Sequence, residues 1–304
     1  MPISDALADW FNARWAQNMG AIDGEDLAFI AQQIDTIRPR TVVEIGVASG
    51  FSTACIANML ATAADGPVRM DSFDLATRFY VDPSRPVGYL MDEALPHPGV
   101  EVAIHTGATC LDVAARVSAP IDLCFIDAAH RHPWPLIDTL GILPLMRPGG
   151  IVVHHDLKMY LDPHGTNWAN GPKVVLDHVP HDARIYAGPE TAAKARARLK
   201  CRNVSGNIFA FRVPQDRADL EWSLSQGFYI GWDPQRPILV PNSFADRFGQ
   251  FLDTQYGEWV ARAFAEGRRR YSHRALDWAL PVLGAGQRLR RPISLALRRV
   301  GLRG

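Results

Sequence analysis

Nowhere in this chain do apolar residues run on for the ~18 positions that a membrane-spanning helix needs. The opening residues MPISDALADWFNARW also lack the basic start and apolar centre of a secretory signal, so the expected location is the cytoplasm. Cysteine is scarce: Cys55, Cys110, Cys124 and Cys201 stand far apart with no C-x-x-C pair, and three of them fall in expected strands or helices. That spacing leaves them as reduced, structural thiols. No segment repeats and none is of low complexity, so a repeat array is not expected. The phosphate-cradling pattern G-x-x-x-x-G-K-[ST] is missing too, which excludes the usual nucleoside-triphosphate loop.

Overall charge is likewise absent, with 32 Lys and Arg against 32 Asp and Glu, but it is unevenly spread. Between Ala261 and Gly304 eleven arginines face only Glu266 and Asp277, a surplus of nine positive charges that the preceding residues offset. The stretch GQRLRRPISLALRRVGLRG sets Leu289, Ile293, Leu297 and Val300 at helical spacing between arginines, an amphipathic basic helix. It suits peripheral contact with an anionic membrane surface, an acidic partner subunit or the protein's own acidic body. No aromatic platform or nucleic-acid module accompanies it, so no nucleic-acid partner is expected.

What the chain does have is enough apolar content, 47% of 304 residues, to fill a proper core. Residues 1–40 read as helical, with a hinge around Gly20 to Gly24. From Thr41 onward TVVEIGV, VRMDSFD, VEVAIHT, IDLCFID and GIVVHHD read as strands. Helical stretches FSTACIANMLATAA, CLDVAARV and WPLIDTLGILPLM lie between them. ARIYAG and NIFAFRV add two strands around the basic helix TAAKARARLK. This alternation predicts an α/β fold, a Rossmann-like seven-stranded, mostly parallel sheet with helices on both faces. Three segments are expected: N-terminal helices over 1–40, the sheet domain over 41–213, and an aromatic, Pro-rich and basic helical extension over 214–304. The extension would cover the active site or form the contact of a homo-oligomer.

The first strand runs into a turn, Gly46-Val47-Ala48-Ser49-Gly50. In the dinucleotide pattern G-x-G-x-x-G the middle glycine lets the backbone approach a pyrophosphate. Ala48 stands in its place, so the turn is poorly shaped for phosphate. With Glu44 inside the strand, the spacing is E-x-G-x-x-x-G, and at this point the chain resembles the class I S-adenosylmethionine-dependent methyltransferases. The resemblance continues at Asp74 in DSFDLA, at Gly107, Ala108 and Thr109 in IHTGATCLD, and at the turn Met146-Arg147-Pro148-Gly149-Gly150. With FIDAAH and VVHHD it points to the branch of macrocin-type and cephamycin-type O-methyltransferases and covers residues 40–213. It implies S-adenosylmethionine as cofactor, held by Glu44, Gly46, Ala48, Ser49, Gly50, Asp74, Gly107, Ala108, Thr109 and Asp127. Asp74 would take the ribose hydroxyls and residues 107–109 the adenine.

Methyl transfer to oxygen needs an aligned nucleophile and a way to remove its proton. Seven of the ten histidines fall between His130 and His181, beside Asp127 and Asp156 at the ends of the fourth and fifth expected strands. Two arrangements remain open. Asp127 and Asp156, with His130 or His155, would hold Mg²⁺ or another divalent metal against the substrate hydroxyl. Alternatively His130, or next His155, would act as a metal-free general base, with Asp127 beside it. The metal-dependent catechol-type relatives carry Asn directly after the second Asp, and here that residue is Leu157. Alternation along IVVHHD sends His154 and His155 to opposite faces. The polar loop KMYLDPHGTNWANGPK offers Tyr160, His164, Asn167 and Trp168 to an acceptor with a polar ring or sugar. The reading is O-methylation of a small-molecule hydroxyl on a sugar-bearing or polyketide-like acceptor. Its rivals are a non-catalytic nucleotide-fold adapter with a basic tail and a metal-dependent hydroxylase on the same fold.

Overall fold

A computed structural model describes residues 3–15, 22–118, 120–158, 161, 170–202, 206–232 and 240–271. All seven expected strands form: β1 Thr41–Ile45, β2 Val68–Asp74, β3 Val100–Thr106, β4 Ile121–Ile126, β5 Met146–His154, β6 Arg184–Tyr186 and β7 Phe209–Arg212. They make one sheet in the order β3-β2-β1-β4-β5-β7-β6, parallel except that β7 runs antiparallel to both neighbours. The helices are α1 Asp5–Trp15, α2 Gly24–Ile37, α3 Phe51–Ala63, α4 Trp134–Ile142, α5 Gly171–His178, α6 Pro189–Arg196, α7 Ala218–Gln226, α8 Asn242–Tyr256 and α9 Glu258–Tyr271. CLDVAARV, expected as a helix, closes into the tighter 3₁₀ form over Cys110–Ala115, and Leu143–Leu145 does the same where Pro144 follows α4. Among the described residues no helix is long and apolar enough to cross a membrane.

Successive strand residues point to opposite faces, and the core divides accordingly. Val43, Ile45, Cys124, Ile126, Val152, Phe209 and Phe211 face one way. Val42, Leu123, Phe125, Ile151, Val153 and Ala210 face the other. Helices α1, α2, α3 and α6 cover the second set, with Trp10 stacked on Phe51 at 5.5 Å and Phe11 against the same ring at 5.1 Å. Helices α4, α5 and α7 to α9 cover the first. Phe228, Phe248 and Phe264 are buried there together, and the Tyr256 hydroxyl donates to the Leu140 carbonyl at 2.6 Å. The described part of the segment beyond 214 therefore shares a core with the sheet.

Strand order reverses its direction of winding between β1 and β4, and ligands of open α/β sheets bind outside the strand ends at such a point. Ile45 lies opposite Ile126 in register, and Asp127 N–H donates to the Ile45 carbonyl at 2.8 Å. Gly46 sits at φ +97°, and a Cβ there would fall on the carbonyl of Asp127. Both the dihedral and the close approach demand glycine. Gly46→Ala is expected to cost about 3 kcal/mol, since backbone atoms cannot swing aside as a side chain can. Urea unfolding checks it, and a variant within 1 kcal/mol of the parent would contradict it.

Candidate active site

The turn after β1 is held by the chain's own hydrogen bonds. Asp74, at the end of β2, accepts from Val47 N–H at 3.0 Å and Ala48 N–H at 2.9 Å on one oxygen, and from Ala76 N–H at 2.8 Å on the other. Those bonds hold Ala48 at φ +49°, a left-handed conformation that costs an L-residue roughly 1 kcal/mol. The segment after the β2 loop closes from the other side: Gly88 N–H donates to the Ala48 carbonyl and Leu90 N–H to that of Ser49, both at 2.9 Å. A carboxylate offers about four lone-pair sites, so Asp74 has roughly one left for a ligand hydroxyl. Helix α3 then starts at Gly50 with no capping side chain, a helix end suited to negative charge.

Glu44 departs from its expected contact with cofactor. Its side chain is fully buried under the turn, and its two oxygens accept from Ser52 Oγ and Thr53 Oγ1, each at 2.6 Å. It braces the first turn of α3, and burial pushes its carboxyl up to about 7 despite those donors. The Thr109 hydroxyl is also committed elsewhere. It caps the 3₁₀ turn, donating to Asp112 at 2.9 Å and accepting from Leu111 N–H at 3.3 Å, which leaves the backbone of Gly107 and Ala108 at the end of β3.

At the ends of β4 and β5 the structure gathers a cluster of carboxyl groups and imidazoles. His130 Nε2 lies 3.1 Å from Asp156 Oδ2 and 4.0 Å from Asp127 Oδ1. His155 sits behind the two carboxylates with no exposed side-chain surface. Its Nδ1 is 3.2 Å from Asp127 Oδ1 and 3.5 Å from Asp156 Oδ1, and its Nε2 is 2.9 Å from Asp26 Oδ2. Burial alone would disfavour the charged ring, but Asp127, Asp156 and Asp26 outweigh it and hold the imidazole well above its ordinary range. His155 is thus a buried cation with both ring nitrogens donating. This corrects its expected parts as base and as metal ligand, because each needs a free nitrogen lone pair. Burial would likewise raise Asp156, but His155 and His130 hold it below the usual carboxylate range. Asp156 occupies φ +59°, a left-handed position that Asp tolerates better than most residues.

The two neighbouring histidines are structural. His154 points to the α4 side, stacks on Phe209 at 5.3 Å and meets Thr139 Oγ1 at 2.9 Å. The Thr139 proton goes to the Pro135 carbonyl at 2.6 Å, so His154 Nε2–H donates, and burial pushes its pKa down to about 3. His132 is also buried, bonds the Gly227 carbonyl at 3.0 Å and is pushed down to about 3 by desolvation. Tyr160, His164, Asn167 and Trp168, and the tail with Leu289, Ile293, Leu297 and Val300, lie outside the described residues.

Two participants escaped sequence reasoning. Asn207, just before β7, donates Nδ2–H to Asp156 Oδ1 at 2.8 Å and accepts from Lys158 N–H at 2.9 Å, while its carbonyl takes Leu157 N–H at 2.9 Å. It clamps the turn that carries Asp156, and nothing local in NIFAFRV announces it. Asp26 belongs to a reciprocal cap at the start of α2, where Asp23 accepts from Asp26 N–H and Asp26 from Asp23 N–H. The D-x-x-D spacing was legible as a helix start; its bond to a residue 129 positions away was not.

A sheet of this order with its last strand antiparallel, a glycine turn after β1 and polar residues massed after β4 and β5 define a Rossmann-like methyltransferase fold. Residues 43–157 match the family model described as a methyltransferase domain. No curated protein matches the sequence significantly. Among solved structures the chain is similar to an O-methyltransferase from Bacillus cereus in complex with SAH, at 16% identity and a TM-score of 0.46, covering 68% of this chain and 90% of that one. It is also similar to the O-methyltransferase TomG from Streptomyces achromogenes, involved in tomaymycin synthesis and solved with SAM, at 20% identity and TM-score 0.44 over 69% and 90% of the two chains. The N-methyltransferase NodS from Bradyrhizobium japonicum is a third, at 12% identity and TM-score 0.39 over 62% and 94%. All three fall below 25% identity and a TM-score of 0.5, so the assignment rests on the family match and on this chain's own sheet.

Glu44 makes stability depend on pH. Its folded carboxyl is raised from 4.5 to about 7, so its contribution is complete below the unfolded value and is lost as pH rises through the folded one. Ionising it in place costs on the order of 3 kcal/mol. Glu44→Gln should therefore gain stability relative to the parent as pH rises from 5 to 8. Urea unfolding across that range measures the gap, and a constant gap would refute the placement.

Proposed function

We propose that the protein is an S-adenosylmethionine-dependent methyltransferase that acts on the hydroxyl oxygen of a small-molecule acceptor. The observation that carries this reading is the convergence of Asp127, His130 and Asp156 at the carboxyl ends of β4 and β5, beside the turn that begins at Gly46. Gly46, Ala48, Ser49 and Gly50 would hold the cofactor's methionine end, and the uncapped start of α3 would favour its carboxylate. The remaining acceptor site of Asp74 would take a ribose hydroxyl, and the backbone at Gly107 and Ala108 would meet the adenine. The acidic side chains of Asp127 and Asp156 favour the sulfonium's positive charge in a site that is partly withdrawn from water.

The acceptor hydroxyl comes to the mouth of the acidic cluster, where His130 is the most exposed of the three groups. His130 is within hydrogen-bond distance of Asp156 and is positioned to receive the hydroxyl proton while the in-line displacement proceeds. The same residues fit a divalent ion. One donor atom from each of Asp127, His130 and Asp156 lies within 4.8 Å of the others, and two carboxylate oxygens with one imidazole make a donor set for Mg²⁺ or Mn²⁺. Such an ion, when bound, would lower the pKa of the acceptor hydroxyl. The acceptor is sugar-bearing or polyketide-like, and the polar and aromatic character of Tyr160, His164, Asn167 and Trp168 in the sequence would suit it.

Calorimetry tests the cofactor first: S-adenosylmethionine should release binding heat and NAD should not. Silence with the former would sink the methyltransferase reading in favour of an adapter or a hydroxylase. Asp156→Asn and His130→Ala should each lower the rate of methyl transfer by about 10²-fold or more while S-adenosylmethionine binding stays within a few-fold.

A further inference from the structure

We propose that Asp26, on an N-terminal helix outside the matched methyltransferase segment, is a positioning residue of the reaction centre: through His155 it aims Asp127 and Asp156 at a common point. This rests on the reading of Asp127, His130 and Asp156 as that centre. The geometry is a chain of contacts running from the interior outward. Asp26 Oδ2 meets His155 Nε2 at 2.9 Å, and the opposite ring nitrogen faces Asp127 Oδ1 at 3.2 Å and Asp156 Oδ1 at 3.5 Å. Side-chain exposure is 5% at Asp26 and 0% at His155 against 9% at Asp156 and 14% at Asp127, so in this chain of contacts the inner pair is enclosed and the outer carboxylates face the site.

Helix capping accounts for only part of the arrangement: Asp26 Oδ2 accepts Asp23 N–H at 2.9 Å in the reciprocal cap, and the same oxygen also meets His155 Nε2 at 2.9 Å, a contact that the cap does not need. Asp23 already supplies the N-cap, accepting from Glu25 and Asp26 N–H on one oxygen and from Arg202 N–H on the other. Stability does not account for it either, because burying ions is costly and well-packed apolar side chains of similar volume commonly do as well or better. What the imidazole does supply is direction. A planar ring pinned at one nitrogen by Asp26 presents the other at a fixed point, and two like-charged carboxylates are thereby drawn to the same donor instead of turning apart. The α1 to α2 region thus reaches both halves of the site, since Trp10 and Phe11 pack on Phe51 at the start of α3 while Asp26 braces the acidic half.

The test compares full-length Asp26→Asn with Asp23→Ala, which damages the same helix cap without touching His155. Mn²⁺ affinity is read from the electron-spin signal of the free ion, S-adenosylmethionine affinity by calorimetry and stability by thermal unfolding. Asp26→Asn should weaken Mn²⁺ about ten-fold and leave S-adenosylmethionine within two-fold. Asp23→Ala should lower the unfolding temperature at least as much and leave Mn²⁺ unchanged. Parental Mn²⁺ affinity in Asp26→Asn, or equal loss in both variants, would overturn the proposal. Should the parent bind no Mn²⁺, the metal reading falls and the ring signals of His130 in ¹⁵N-histidine-labelled protein decide. His130 pairs with Asp156 at 3.1 Å, whereas Asp26 pairs with His155, so displaced signals in Asp26→Asn alone support the positioning role and unchanged signals refute it.

Discussion

The contact on which the rest of this molecule depends is backbone against backbone: Gly46 at the end of β1 lying on the carbonyl of Asp127 at the end of β4. Because the sheet reverses its winding between these two strands, their ends bound a crevice that no crossover helix fills. With no side chain at position 46, the two ends come close enough for Asp127 to follow directly on the wall of the glycine turn. One strand end delivers the turn and the other delivers the first acidic group of the reaction centre. The distance between the two halves of the site is set by a missing methyl group.

Around that contact the polar groups sort by depth. Glu44 is fully enclosed and serves α3, His155 is enclosed and serves two carboxylates, and Asp127, His130 and Asp156 sit at the edge. Such a gradient follows from the cost of desolvation, which buried groups offset only by pairing. Glu44 pairs with hydroxyls and His155 with acids. His154 and His132 remain neutral because no carboxylate reaches them. Neighbours in sequence, His154 and His155 thus differ in charge because alternation along β5 turns one toward Thr139 on α4 and the other toward Asp26 on α2.

The fold was legible in the chain because each strand is a short apolar run bounded by turn residues and each intervening segment has helical length. Strand identity, the glycine turn and the opposed faces of His154 and His155 all follow from local periods. The roles at the site were less legible. Thr109 and Glu44 have the right chemistry for a ligand, but each is spent on a helix start, which spacing alone cannot reveal. Asp26 and Asn207 were missed because their partners lie far along the chain, at His155 and Asp156, and only the packing of α2 and of the residues before β7 against β5 brings them together.

The hydrogen bonds that hold the glycine turn have a consequence for how a ligand is received. Val47 and Ala48 are tied to Asp74, and Ala48 and Ser49 are tied to Gly88 and Leu90, so the cradle is held by the chain's own hydrogen bonds on both sides. A molecule entering it need not spend part of its binding free energy on ordering a loop, and that saving goes to affinity. Rigidity also limits tolerance: a group wider than the cradle meets a wall that is bonded from both sides. Recognition at this end of the crevice then becomes a matter of fixed shape, and whatever adaptability the protein has toward different acceptors must reside at the opposite end.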